Sequence, residues 1–282
     1  MNNATVNTKT NKRNTEEKTS LMELKQLSKH FGGLKAVNKV DLNIKPFSLT
    51  GLIGPNGSGK TTIFNVITGI YEPTGGDVIF DDQVINGFDP FVINQLGIAR
   101  TFQNIRLFPN LTVLDNVRIA YHPHAGYDLK DSIFRTSNFN VKEKELTEKA
   151  QDFLSIFNLQ DHQGEIAKNL PYGEQRRLEI ARALASTLRL LLLDEPAAGM
   201  NPQEVIALMD LIHFIREHFN LTILLIEHQM RIVMGICEKI TVMDFGEVIC
   251  RGTPQEIQCD EKVIEAYLGL GAAEISKSYL RK

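Results

Sequence analysis

The chain has 282 residues, of which 43% are hydrophobic and 23% are charged, so it can bury a full-sized core. Its formal net charge of −3 gives no overall attraction to nucleic acid, and we expect no nucleic-acid partner. The longest apolar runs, at 190–193 and 221–226, are far shorter than the roughly 20 residues of a membrane-spanning helix, and they suit buried parallel strands.

The two ends of the chain differ in composition from the region between them. Residues 1–20 are polar and almost free of large apolar side chains, which predicts a disordered tail without the apolar segment of a secretory signal. Residues 21–270 are predicted to form the folded domain, and 271–282 a C-terminal tail.

Three successive patterns divide the folded region. From residue 21 to about 98 the sequence is typical of strands, interrupted by one predicted helix at 61–70. From about 103 to 170 the pattern is helical, with a helix at 142–157 that follows an irregular insertion at 121–140. After that, helices and strands alternate, which predicts a parallel sheet covered by helices.

Short local patterns predict turns and helix starts. The pairs Asp81-Asp82 and Asn86-Gly87 indicate antiparallel strand pairing. Two other stretches each combine a capping side chain, a proline at the first helical position and a glutamate two residues later; they begin at Asn201 and Thr253.

A glycine-rich stretch between a predicted strand and a predicted helix matches the G-x-x-x-x-G-K-[ST] pattern of a phosphate loop. Its backbone N–H groups are expected to wrap phosphates, Lys60 to reach the outer phosphates, and the Thr61 hydroxyl to bind Mg²⁺. The predicted nucleotide-binding residues of this phosphate loop are Gly54, Pro55, Asn56, Gly57, Ser58, Gly59, Lys60, Thr61 and Thr62.

Two carboxylates end the apolar run at 190–193. Asp194 is predicted to contribute to a Mg²⁺ site beside Thr61, and Glu195 to orient or deprotonate a water near the γ-phosphate. His228 follows the apolar run at 221–226, so it is expected at the same sheet edge and near Glu195. The alternative reading of His228 is a surface histidine that caps the next helix.

Two further residues are weaker candidates for the nucleotide-binding site. Gln103 lies where the strand pattern gives way to helices, and its amide can bind Mg²⁺ or water; the alternative is a polar boundary residue. Phe31, in the loop KHFGGLKA, can stack on an adenine, although an aromatic residue in a loop more often contributes to packing.

A second helix start, in the stretch NLPYGEQRRLEIARAL at 169–184, also favours the binding of an anion. A short glycine turn precedes strong helix formers there, so free N–H groups and the helix dipole point toward whatever lies in front of the turn. We call residues 170–175 the signature turn.

The order of these stretches resembles that of the ATP-binding subunits of ABC transporters, over nearly all of the chain after the N-terminal tail. The resemblance implies an α/β fold: a P-loop NTPase core of ABC ATPase type with an antiparallel β subdomain and a helical subdomain inserted at about 104–170. It also implies ATP and Mg²⁺ as ligands and a head-to-tail pair with a second ABC ATPase subunit, the same chain or a different one. In that pair each nucleotide contacts the signature turn of the opposite subunit, here through Leu170, Tyr172, Gly173 and Glu174.

The chain departs from the common family pattern in several places. The usual L-S-G-G-Q signature reads L-P-Y-G-E, so the hydroxyl that would donate to the γ-phosphate is missing at Pro171. Glu174 brings a negative charge near phosphate unless it points away or pairs with a base. Asn201 stands where an aspartate is common, and Gln229 follows Glu227-His228 where that family usually has an aspartate.

Within the family, the forms FGGLKAV, DEPAAGMNPQE and RGTPQEIQCDEKVIEAYLG, with the insertion SIFRTSNFNVKEKEL, are similar to the ATP-binding subunits of branched-chain amino-acid importers. This implies a peripheral location at the cytoplasmic face of the membrane, two permease subunits and, indirectly, an extracytoplasmic solute-binding protein. The permease contact is expected near Ile105, Leu107 and Phe108, for which core packing is the alternative. Other possible functions are a urea or amide importer, a lipid or lipopolysaccharide exporter, or a soluble ABC ATPase in translation or DNA maintenance.

Overall fold

Two β-sheets organise the residues that the computed structural model describes, which are 19–121, 134, 136–185 and 188–268. The predicted N-terminal tail lies outside these residues except for its last two positions, and the predicted C-terminal tail lies wholly outside them. In chain order the strands are β1 (Met22–Phe31), β2 (Leu34–Ile44), β3 (Leu49–Ile53), β4 (Gly75–Phe80), β5 (Gln83–Val84), β6 (Ile98–Arg100), β7 (Leu190–Asp194), β8 (Thr222–Ile226), β9 (Lys239–Asp244) and β10 (Glu247–Gly252).

The larger sheet has the order β10-β9-β3-β8-β7-β6. All neighbours in it are parallel except β10 and β9, which form an antiparallel pair. Strands β3, β7 and β8 are buried along their whole length, as expected for a parallel sheet covered on both faces. Their carboxyl ends therefore meet at one edge of the sheet, where ligands of open α/β folds bind.

The smaller sheet is antiparallel, in the order β2-β1-β4-β5. Strands β4 and β5 are joined by Asp81 and Asp82, which have φ angles of 53° and 68°. The predicted antiparallel pairing at this turn is thus confirmed. The Asn86 side chain stabilises the end of the hairpin, since its Oδ1 accepts from the Val78 N–H at 2.8 Å.

Helices connect and cover the strands. Among the described residues they are α1 (Lys60–Ile67), α2 (Pro90–Gln95), α3 (Val113–Tyr121), α4 (Ser137–Ile156), α5 (Tyr172–Leu184), α6 (Pro202–His218), α7 (Met230–Ile236), α8 (Pro254–Cys259) and α9 (Glu261–Leu268). Helix α1 is shorter than the predicted 61–70, because the chain leaves the helix at Thr68. Helix α2 was not predicted, since six residues carry little periodicity.

Helix α4 corrects the predicted boundary of the irregular insertion. It begins at Ser137, where the Thr136 side chain accepts from the Phe139 N–H at 3.3 Å, rather than at Lys142. The predicted irregular stretch at 121–140 is therefore helical at its last residues, and most of the remainder lies outside the described residues. The predicted helix at 142–157 is confirmed apart from its start, and its Ala150 and Leu154 side chains are fully buried.

The larger sheet separates two apolar clusters. In β7, Leu191 and Leu193 pack into a cluster with the helices, whereas Leu190 and Leu192 pack on the opposite face with the antiparallel sheet and α1. Strand β8 alternates in the same way. This alternation fixes the register of both strands, because a shift by one residue would exchange their two faces.

Both predicted helix starts are capping boxes. The Asn201 side chain accepts from the N–H groups of Gln203 and Glu204, and the Glu204 carboxylate accepts from the Asn201 N–H at 2.9 Å. Thr253 and Glu256 form the same arrangement at α8. None of the helices in the described part of the chain combines the length and hydropathy needed to span a membrane.

Replacing Asn201 by Ala should lower the free energy of unfolding by about 1 kcal/mol, because two N–H groups at the start of α6 lose their acceptor. Asp89 is the matched control, since it precedes α2 without a side-chain cap and Asp89→Ala should cost far less. Urea unfolding monitored by circular dichroism measures both values. Equal costs for the two variants would contradict the capping account.

Candidate functional site

The phosphate loop connects β3 to α1 and requires glycine at two positions. Gly54 has a φ angle of 150°, and a Cβ there would lie 2.1 Å from the Met243 carbonyl oxygen. Gly59 has a φ angle of 103°, and its Cβ would lie 2.3 Å from the Ala36 carbonyl oxygen. Neighbouring backbone thus packs closely against the loop, and any side chain at these positions would displace it.

Lys60 lies at the centre of this loop. Its Nζ donates to the carbonyl oxygens of Gly54 and Pro55, both at 2.8 Å, and to the Ser58 hydroxyl at 3.2 Å. Burial lowers the pKa of the Lys60 ammonium, and the negative charges of Glu195 and Asp194 partly oppose this effect. The loop therefore presents a largely buried cation at the start of α1, an arrangement that suits a phosphate.

The other predicted loop residues differ in accessibility. Asn56 and Thr61 are exposed, and Thr62 is half-buried. Gly57 has a φ angle of 82°, which glycine adopts without strain. Thr61 lies in the first turn of α1, so its hydroxyl is accessible at the same helix start as Lys60.

Asp194 is held by a buried arginine that the sequence did not single out. Arg100 Nη2 donates to Asp194 Oδ2 at 2.6 Å, and Arg100 Nη1 donates to Asn65 Oδ1 at 2.6 Å. The guanidinium also lies over the rings of Phe64 and Phe102. Because both side chains of the ion pair are at least 94% buried, this pair fixes the orientation of the Asp194 carboxylate.

The structure brings Glu195, Gln103 and His228 together. Glu195 Oε2 accepts from Gln103 Nε2 at 2.7 Å and lies 3.6 Å from His228 Nδ1. Glu195 has a φ angle of 45°, a strained conformation for a non-glycine residue. Its N–H donates to the Ile226 carbonyl at 2.9 Å, and this bond holds the carboxylate at the carboxyl edge of the sheet.

A buried carboxylate beside His228 was also missed. Glu227 is fully buried, and it accepts from the N–H groups of Ala197 at 3.0 Å and His228 at 3.1 Å. Burial raises the pKa of Glu227, while these N–H groups partly oppose the shift. Its position at the end of an apolar strand was the available signal, although the sequence does not reveal that its partners are backbone groups of another loop.

The signature turn begins α5, and among the described residues no side chain caps its start at Pro171. The Tyr172 hydroxyl donates to the Ala198 carbonyl at 3.0 Å, and Leu170 is buried. Glu174 pairs with two basic groups, His162 at 3.6 Å and Arg177 at 3.7 Å. These basic groups offset the negative charge that made Glu174 unfavourable beside a phosphate.

Gly173 lies against the start of α6. A Cβ at Gly173 would lie 3.5 Å from Glu204 Oε1, an ordinary contact distance. Its φ is not in the left-handed region, so the backbone of the turn does not itself require glycine here. The small residue leaves the helix start accessible.

Arg176, in the first turns of α5, is the largest fully buried side chain among the described residues, and the sequence reading did not single it out. Its Nη1 donates to the Phe102 carbonyl and to Glu179 Oε2, both at 2.7 Å, and its Nη2 donates to the Gln103 carbonyl at 2.8 Å. The helix that follows the signature turn is thus bonded directly to the backbone of Gln103.

Phe31 is 41% exposed and lies beside Tyr71 and Lys29. Its ring meets the Tyr71 ring edge-on, with centroids 5.2 Å apart, and the Lys29 ammonium lies 5.1 Å from its centroid. Both readings of Phe31 are compatible with this arrangement, since the ring packs on Tyr71 and is also accessible.

The three predicted Mg²⁺ ligands supply the oxygen donors that this ion prefers: a hydroxyl from Thr61, an amide from Gln103 and a carboxylate from Asp194. Asp194 and Glu195 act electrostatically on Lys60, so these charges share one sheet edge with the phosphate loop. The donor set fits a hard divalent cation.

Comparison with known families covers most of the chain. Residues 37–198 match the ABC transporter family, and residues 247–273 match the branched-chain amino acid ATP-binding cassette transporter family. The chain is 45% identical over 249 residues to LivG of Escherichia coli, a high-affinity branched-chain amino acid transport ATP-binding protein, covering 88% of this chain and 98% of that protein. It is 33% identical over 245 residues to LptB of Escherichia coli, a lipopolysaccharide export system ATP-binding protein, covering 87% and 95%.

Solved structures show the same fold. The ADP conformation of MJ1267, an ATP-binding cassette of an ABC transporter, superposes with a TM-score of 0.78 at 31% identity, covering 89% of this chain and 100% of that chain. The dimeric post-hydrolysis state of the ATP-binding cassette MJ0796, bound to ADP and Pi, gives a TM-score of 0.69 at 26% identity, covering 83% and 98%.

Replacing Arg100 by Leu should lower the free energy of unfolding by about 3–5 kcal/mol, because Asp194 is left buried without its counter-ion. Arg189→Leu is the matched control: this arginine pairs with Asp81 at the surface, and its loss should cost about 0–1 kcal/mol. Chemical unfolding of both variants provides the measurement. A cost below 1 kcal/mol for Arg100→Leu would show that Asp194 does not need its partner.

Proposed function

Because the chain belongs to the ABC transporter family of ATPases, we propose that it energises the import of branched-chain amino acids through a membrane permease. The observation that carries the hydrolytic part of this proposal is the contact of Glu195 with Gln103 and His228 at the sheet edge that holds Lys60. We infer the roles of individual residues from that arrangement.

The phosphate loop binds the phosphates of ATP. Backbone N–H groups between Gly54 and Thr62 donate to phosphate oxygens, and Lys60 exchanges its contacts with loop carbonyls for contacts with the outer phosphates. The exposed Phe31 ring stacks on the adenine, held in place by Tyr71. Thr61, Asp194 and Gln103 hold Mg²⁺, which supplies positive charge to the phosphate oxygens when bound.

Glu195 acts as the general base of hydrolysis. Its carboxylate orients a water molecule and accepts a proton as the water oxygen bonds to the γ-phosphorus and the bond from that phosphorus to the bridging oxygen breaks. Gln103 and His228 position the carboxylate and the water, since both side chains lie within 3.6 Å of Glu195 Oε2. The products are ADP and phosphate.

A second ABC ATPase subunit completes each nucleotide site. Leu170, Tyr172, Gly173 and Glu174 form a helix start without a side-chain cap among the described residues, and this start is suited to the γ-phosphate of ATP held by the opposite subunit. The dimeric MJ0796 structure with ADP and Pi supports this arrangement. The proposed ABC ATPase domain spans 21–270, with the helical subdomain at about 104–170.

The permease contact is proposed for the start of the helical subdomain. Phe108 is 43% exposed and Ile105 is half-buried, whereas Leu107 packs against the core and is less available than the sequence predicted. Two permease subunits at this surface place the chain at the cytoplasmic face of the membrane, and an extracytoplasmic solute-binding protein delivers the substrate to them.

Two observations favour branched-chain amino acids as the substrate class. The C-terminal segment 247–273 matches the branched-chain family, and identity to LivG exceeds identity to LptB, 45% against 33%. The similarity to LptB makes a lipopolysaccharide exporter the second candidate. A urea or amide importer shares the same ATPase chemistry.

Replacing Glu195 by Gln should slow ATP hydrolysis by roughly 10² to 10⁴, because the proton acceptor is lost while the shape of the side chain is kept. Nucleotide binding should persist in this variant but weaken in Lys60→Ala. Phosphate release and equilibrium binding of a fluorescent ATP analogue measure the two effects, with the surface substitution Glu148→Gln as the control. Normal hydrolysis by Glu195→Gln would mean that the base is misassigned.

A further inference from the structure

A closed ring of polar contacts connects the hydrolytic carboxylate with the signature turn of the same chain. It passes through side chains and backbone groups of four chain segments, at 103, 172–176, 195–198 and 227–228. Its members are Glu195, Gln103, Arg176, Tyr172, Ala198, Ala197, Glu227 and His228.

The first half of the ring runs from Glu195 to the signature turn. Gln103 contributes both its side chain and its backbone. Its side-chain Nε2 donates to Glu195 Oε2 at 2.7 Å, and its backbone carbonyl accepts from Arg176 Nη2 at 2.8 Å. The same Nη2 lies 3.4 Å from the Tyr172 hydroxyl oxygen. The start of α5 is therefore bonded to the backbone of Gln103 through Arg176.

The second half returns through the loop that follows Glu195. The Tyr172 hydroxyl donates to the Ala198 carbonyl, and the next residue back, Ala197, donates its N–H to the Glu227 carboxylate at 3.0 Å. That carboxylate also accepts from the His228 N–H at 3.1 Å. His228 Nδ1 lies 3.6 Å from Glu195 Oε2 and closes the ring.

Arg176 is buried and bonded on several sides within this ring of contacts. This side chain is fully buried, and its charge is balanced by Glu179 at 2.7 Å. The second Glu179 oxygen accepts from the Arg106 N–H at 3.0 Å, so the pair cannot turn without losing a buried bond. A planar guanidinium reaches the Phe102 and Gln103 carbonyls at once, which a lysine ammonium on a flexible stem does not reproduce.

Tyr172 contributes a hydroxyl at a position where the common L-S-G-G-Q signature has glycine. A Cβ added at Gly199 would lie 3.9 Å from the aromatic ring of Tyr172, so this ring lies beside the same loop. The tyrosine thus attaches the signature turn to the loop that follows Glu195. This attachment is a property of this chain's own signature sequence.

We propose that Tyr172 and Arg176 are positioning residues that couple the two nucleotide sites of the assembled ATPase. The inference rests on the proposed function, in which the signature turn contacts the nucleotide held by the opposite subunit. When that contact shifts the turn, Arg176 and Tyr172 carry the shift to Gln103 and to the loop after Glu195, and they align the base of their own site.

A double-mutant cycle on the complete transporter complex tests this coupling. Tyr172→Phe removes one hydroxyl and should lower kcat about two- to tenfold, the range for one net hydrogen bond. Gln103→Ala should then cost at least about threefold less in the Tyr172→Phe background than in the wild type, because the ring is already open. Arg176→Lys should show the same non-additivity with Gln103→Ala.

The control cycle pairs Gln103→Ala with Tyr121→Phe. This substitution removes a hydroxyl from the end of α3, where the aromatic ring of Tyr121 packs on Phe153. In this control cycle the fold-reductions in kcat caused by the two single substitutions should multiply in the double variant. Multiplicative effects for Tyr172→Phe as well, with ATP hydrolysis by the wild type intact, would overturn the coupling and leave the proposed function standing. If the wild-type complex does not hydrolyse ATP, the proposed function fails, and the coupling fails with it.

Discussion

The carboxylate of Asp194 ends a strand that is buried along its whole length, and a charge in that position needs a partner, which Arg100 supplies at 2.6 Å. Arg100 lies at the end of the neighbouring parallel strand, so the ion pair joins β6 and β7 where the site begins. Lys60 adds a second cation to the same edge, with its pKa lowered by burial and partly restored by Asp194 and Glu195. The site thus contains positive and negative side chains next to each other. This arrangement allows it to bind a phosphate and a divalent cation together.

Backbone strain and hydrogen bonds then place the reactive groups. Glu195 leaves β7 with a positive φ, and its N–H continues the pairing with β8 through the Ile226 carbonyl. Gly54 and Gly59 let the phosphate loop approach neighbouring carbonyls closely. Tyr172 of the signature turn bonds the loop after Glu195, and Arg176 of the helix that follows bonds the backbone of Gln103. The start of α5 is thus joined to both segments that carry the hydrolytic groups.

The sequence predicted the features whose signals are local. The phosphate loop combines a motif with its strand and helix, and both capping boxes depend on four consecutive residues. Arg100, Arg176 and Glu227 escaped prediction because their partners are remote; Arg176, for example, bonds a carbonyl 74 residues away. The proximity of His228 to Glu195 was predicted because strands of a parallel sheet end at a common edge, whereas the contact of Gln103 with Glu195 was not predicted. The short helix α2 carries too few residues to show a period.

Uptake of labelled leucine tests the central claim most directly, namely that hydrolysis at Glu195 drives import of branched-chain amino acids. The measurement compares cells whose copy of this chain is wild type with cells that carry Glu195→Gln, after immunoblotting shows equal amounts in the membrane fraction, and uses urea uptake as the parallel control. We predict that leucine uptake is lost in the variant while urea uptake is unchanged. Undiminished leucine uptake in the variant would contradict the account, and loss of urea uptake alone would assign a different substrate.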